Sequence, residues 1–171
     1  ANVTATVTGS GSVAINAGDL KITGGSTLTA ISPLGNSMIA DSIEIENSTV
    51  TGTGYYPVMS WVDDNTITDS TVYAESTADW GIWSNGNLTI TGKSNVTATG
   101  SIAALGAGGS FTLEPPAGEG IDVFAGTDPD NAPAIEGSPL SQATDLSSYG
   151  NPNIKYFHSV PHQHVTTLVA K

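Results

Sequence analysis

The chain has 171 residues, enough for one domain with a shared apolar core. Its 4 basic residues are all lysine and face 16 acidic ones, so the formal net charge of −12 disfavours nucleic acid and anionic membrane surfaces as partners. Cysteine is absent, which excludes disulfides and thiolate metal sites, and no apolar run is long enough for membrane insertion.

Only 12% of the residues are charged, and Thr, Val and Ile are abundant, a composition that favours strands over disorder. In chain order, Val3 to Val7 and Val13 to Ile15 read as strands that join a repeat part-way round a turn. The repeat is first complete from Gly18 to Ala30, and it returns from Asp41 to Gly52, from Thr66 to Ala74 and from Gly86 to Ala98. A fifth opening follows at Gly109 to Leu113. Ile22, Ile45, Ile67, Ile90 and Leu113 recur every 22–23 residues, and Leu28, Val50, Val72 and Val96 every 22–24.

Each repeat holds three short strand signals. The first alternates as Leu20-x-Ile22, Ile43-x-Ile45 and Leu88-x-Ile90, one face inward. The second follows a Gly or Asn corner, as at Thr27 to Ala30. The third falls at Ser37 to Ala40, Val58 to Trp61, Trp80 to Trp83 and Ile102 to Leu105. Three strands in a turn of 22–24 residues predict an all-β fold, a right-handed parallel β-helix of three sheets and about five turns. Gly24, Asn47 and Gly92 stand at corners and suit positive φ. Beyond Leu113 the repeat decays. Gly118 to Ala125 reads as the last full strand, and a Pro-punctuated tail reads as a cap. The expected division is a helix over 1–126 and a capping segment over 127–171 of the same domain. The pattern begins mid-turn and ends on a strand-like His164 to Lys171, which reads as a piece of a larger multidomain protein.

Openings such as Asn87-Leu88-Thr89-Ile90-Thr91-Gly92 resemble the repeats of pectate-lyase-like β-helix domains in Gram-positive bacterial surface proteins. Ile121-Asp122-Val123-Phe124-Ala125-Gly126 and Tyr156-Phe157-His158 are similar to the ends of such domains. The resemblance covers residues 1–160 and implies a secreted or cell-surface module that binds carbohydrate or acts as an adhesin. Its motifs are structural repeats, so it transfers no functional residue.

Aromatic side chains concentrate in two repeats: Tyr55, Tyr56, Trp61, Tyr73, Trp80 and Trp83. Trp61 and Trp83 lie one period apart and are expected to stack on adjacent coils. The expected ligand-binding set is Trp61, Trp83, Tyr55 and Tyr73 for sugar stacking, with Asp63, Asp64 and Asn65 for polar contacts. The partner is then a polysaccharide or a host or cell-wall glycan, met outside the cell or at its surface. An aromatic stack without a ligand is the alternative, in an inert spacer that holds another domain away from the cell wall.

No catalytic residue is assigned. A divergent polysaccharide-acting enzyme would draw a carboxylate pair from Asp64 with Glu75 or Asp79, but scattered lysines and the lack of arginine speak against lyase chemistry. No cofactor or metal site is assigned. Asp128-Pro129-Asp130-Asn131 offers hard oxygen donors for Ca²⁺ but also suits an ordinary turn. His162-Gln163-His164 lacks a third ligand for Zn²⁺. The pairs Thr27/Thr29, Thr49/Thr51, Thr66/Thr68, Thr89/Thr91 and Thr97/Thr99 form an array of the kind that orders water, interrupted by Glu44, Glu46 and Tyr73.

Overall fold

The computed structural model describes residues 1–135, 140–147 and 154–162. Stacked parallel coils build a β-solenoid of about five turns, with no α-helix among the described residues. One face carries the second strand of each repeat: β1 (Asn2–Thr6), β3 (Thr27–Ser32), β5 (Thr49–Gly54), β8 (Thr71–Ser76) and β11 (Asn95–Thr99), all parallel and in that spatial order. The other two faces are joined by long strands. β2 (Val13–Ile22) and β4 (Asn36–Glu46) pair over both. Below them the chain splits into β6 (Val58–Ser60), β9 (Trp80–Ser84) and β12 (Ala103–Ala107) on one face. The other face takes β7 (Asn65–Thr68), β10 (Leu88–Thr91) and β13 (Phe111–Glu114).

The expected columns are directly in register. Ile22 faces Ile45, then Ile67, Ile90 and Leu113. Leu28 faces Val50, Val72 and Val96. All nine are buried in one continuous core. Each such side chain contributes about 1.5–3 kcal/mol relative to exposure. One coil cannot bury its own apolar face, so stacking supplies the stability that disulfides cannot.

The corner after the Ile column repeats as well. Gly24, Asn47, Asp69 and Gly92 each follow their column residue by two positions, and all have positive φ between 48° and 67°. Asn and Asp tolerate the left-handed region better than other residues with a Cβ, so the turn survives where glycine is replaced. A serine ladder then ties coil to coil. The amide of Ser26 donates to Ser48 Oγ, that of Ser48 to Ser70 Oγ and that of Ser70 to Ser94 Oγ, at 3.2, 3.1 and 3.4 Å.

The threonine pairs divide between two faces. Thr66/Thr68 and Thr89/Thr91 continue the columns of Glu44 and Glu46, whereas Thr29, Thr51 and Thr97 share a column with Tyr73.

The C-terminal end departs from simple continuation. β14 (Ile121–Gly126) does not pair with β11. A later strand, β16 (Tyr156–Pro161), lies between them and runs antiparallel to both. Phe157, set between Ala98 and Ala125, meets Phe111 edge-on at 5.8 Å. β15 (Thr144–Asp145) pairs antiparallel with β13. These strands occupy open edges that a terminal coil otherwise presents to solvent.

Candidate functional site

The aromatic cluster forms a groove on the outer side of the β6/β9 face. Tyr56, Met59, Trp61, Trp80, Trp83 and Asn85 line a hollow of about 400 Å³. Asn36, Ile39, Tyr56, Met59 and Trp61 line an adjoining one of about 350 Å³. The shared residues make one surface across three successive coils.

An uneven coil places this surface. Ser32, Gly54 and Ser76 are register partners, as are Ile39, Met59 and Trp83. Seven positions separate Ser32 from Ile39 and Ser76 from Trp83, but only five separate Gly54 from Met59. The next corner restores the count: five positions from Ser60 to Asn65, against three from Ala40 to Ile43 and four from Ser84 to Leu88. The short corner, Tyr55-Tyr56-Pro57, folds tightly over Gly52, where a Cβ would stand 2.6 Å from the Pro57 carbonyl oxygen. The long corner pushes Trp61 outward.

Trp61 and Trp83 therefore do not stack one above the other. β6 ends at Ser60, which faces Ser84, and Trp83 faces Met59. Trp61 lies beyond the strand on the enlarged corner, 60% exposed. Both tryptophans still line the groove, from neighbouring coils. Trp83 instead contacts Trp80 of its own coil, with centroids 4.7 Å apart and planes tilted by 50°. The two rings cover Gly106, where any Cβ would collide with both. Met59 is only 2% exposed yet lies outside the central core, so it forms an apolar floor for the groove.

Polar groups stand at the margins. Burial pushes the Tyr56 phenol up to about 12, helped by a hydrogen bond to the Asp79 carboxylate. Tyr56 therefore stays protonated through neutral pH. The Trp80 amide also donates to Asp79 Oδ1, at 3.1 Å.

The other expected residues go elsewhere. Tyr55 is exposed at the short corner and its carbonyl accepts the Ser76 hydroxyl at 2.6 Å. Tyr73 lies on β8, on a different face, bonded to Glu75 at 3.2 Å. Asp63 is exposed on the long corner, and its carbonyl accepts the Ser60 and Ser84 hydroxyls. Asp64 accepts the Asn87 amide at 2.7 Å and its side-chain amide at 3.3 Å. Asn65 is buried in the column between Ile43 and Leu88, where its Nδ2 donates to the Trp83 carbonyl at 2.7 Å. Asp64, Glu75 and Asp79 each hold a different partner: Asn87, Tyr73 and the Trp80 amide.

In the Asp128 to Asn131 segment, Asp128 turns onto its own backbone, accepting the Asp130 amide and the Asn131 side chain, both at 2.9 Å. These bonds, the Asn131 side chain first, hold its carboxyl below the usual range. No group of three or more metal-ligating side chains gathers among the described residues. His162 lies 3.1 Å from Asp122, and His164 is outside the described residues.

Tyr56, Trp80, Met59, Asn85, Asn36 and Ile39 complete the groove although even spacing does not select them. The available signal was Gly52-x-Gly54 before Tyr-Tyr-Pro, a corner two residues shorter than Ser76 to Trp83. Set against known proteins, the chain gives no match to a family model, to a curated protein or to a solved structure.

Proposed function

We propose that the chain is a non-catalytic module that grips carbohydrate in the aromatic groove, displayed outside a cell or on its surface. The ligand is a polysaccharide or a host or cell-wall glycan. The observation that carries this reading is the meeting of three tryptophans and Tyr56 in one open groove, with Trp61 60% exposed. A solenoid gains no core stability from an indole so exposed, whereas a sugar ring gains an apolar platform for its C–H face. Asn36, Asn85 and Tyr56 also line the groove and offer polar groups to the hydroxyls of a bound ring.

The test is titration of soluble oligosaccharides followed by tryptophan fluorescence. Binding is expected to shift the emission. Trp61→Ala is expected to weaken binding roughly tenfold or more, about 1.4 kcal/mol, with thermal unfolding unchanged because the ring is mostly exposed. Trp83→Ala weakens binding too and uncovers Met59. An emission that no glycan moves, or wild-type affinity in both variants, ends the proposal.

A further inference from the structure

Resting on the carbohydrate reading, we infer that the groove takes an uncharged glycan chain laid along the solenoid axis and rejects polyuronates. The two hollows share Tyr56, Met59 and Trp61 and extend from Ile39 to Trp83 across three coils. Two coil-to-coil steps amount to roughly 10 Å, so the surface runs along the axis and offers two adjoining subsites.

The charges next in the chain to the lining tryptophans are carboxylates. Asp79 precedes Trp80 and accepts its amide at 3.1 Å, and exposed Asp63 follows Trp61 by two residues on the same corner. The described lysines are occupied elsewhere. Lys21 pairs with Glu44 at 2.6 Å, Lys93 with Glu119 at 3.0 Å, and Lys155 Nζ donates to the Ser101 carbonyl at 2.6 Å. No Lys or His among the described residues lines either hollow. A uronic-acid chain would bring its carboxylates beside Asp63 and Asp79 with no cation to receive them, against the field of a chain with net charge −12. Uncharged sugars meet the indoles and amides without that repulsion.

The experiment compares neutral and acidic oligosaccharides of equal length on the full chain: cello-, xylo- and chitin hexamers against hexamers of galacturonate and of alginate. Calorimetry and tryptophan fluorescence are read at about 10 mM and about 500 mM salt, where the screening length falls from about 30 Å to a few Å. A neutral hexamer is expected to bind at least about tenfold more tightly than any acidic one at low salt. The gap is expected to narrow at high salt, with the neutral affinity nearly unmoved, and neutral binding to strengthen from disaccharide to hexamer. Acidic hexamers that bind as tightly as neutral ones, or a gap indifferent to salt, overturn the inference and leave the carbohydrate reading standing. Binding by neither class, with unchanged fluorescence, overturns both.

Discussion

Ser84 shows how one small side chain holds the corner that presents the groove. Its hydroxyl is fully buried. It accepts the Asn65 amide at 3.1 Å, and it lies 3.0 Å from the Ser60 oxygen, 2.8 Å from the Asn87 carbonyl and 3.1 Å from that of Asp63. Two coils and two corners meet at this oxygen. Ser84→Ala removes this shared hydroxyl while the Asn65 amide keeps the Asn87 carbonyl at 2.9 Å, so the expected loss is about 0.5–1.5 kcal/mol. Urea denaturation of the two proteins measures it; equal midpoints would mean that water or a shifted serine replaces the hydroxyl. Sequence reading could not single out Ser84, because serine is abundant throughout the chain and its role depends on which coil lies above it. Asn65 is similar. Its side chain suited a ligand contact on paper, but it occupies the position of Ile43 and Leu88 in an inward column.

At the scale of elements, β16 is the part that repeat logic does not anticipate. It enters as an antiparallel strand where the next parallel coil would have stacked on β11, and it moves β14 one place outward. Ser159 is at its centre, paired with Val96 on one side and Val123 on the other, and is fully buried. Proline in an interior strand removes a ladder donor, which is why it is otherwise confined to edge strands, strand starts and bulges. Ser159→Pro is therefore expected to detach β14, raising hydrogen exchange over Ile121–Gly126 while Leu28 to Glu46 stays protected. Exchange that rises evenly along the whole chain would show that the end does not unfold apart from the coils. Nearest-neighbour stacking makes the local outcome the expected one. The compensated corners of the third coil belong to this scale too: the total period hides them, since two residues lost before β6 return after it.

The whole molecule carries a net charge of −12 on a solenoid with no arginine. Lys21 and Lys93 each neutralise one acidic neighbour, Glu44 and Glu119, at exposed sites where such pairs contribute little. The remaining carboxylates repel one another across a surface that folding draws together. Salt screens this repulsion, so moving from about 10 mM to about 500 mM sodium chloride is expected to raise the melting temperature. A gain of 1 kcal/mol corresponds to roughly 2–4 °C for a domain of this size. A melting temperature that falls with salt would show that attractive ion pairs outweigh the net repulsion.

The period, the inward columns of Ile22 and Leu28, and the left-handed corners at Gly24, Asn47 and Gly92 were all determined by the sequence alone. Each follows from local alternation or backbone sterics repeated at equal spacing, and such features survive summation along the chain. Tertiary structure alone decided the offset between Trp61 and Trp83, the burial of Asn65 and the insertion of β16. These depend on how residues are divided between corners and on which strand reaches an open edge first in space, and neither quantity is written in the period. The groove exists because one coil is short where its neighbours are long, a difference that only stacking converts into shape.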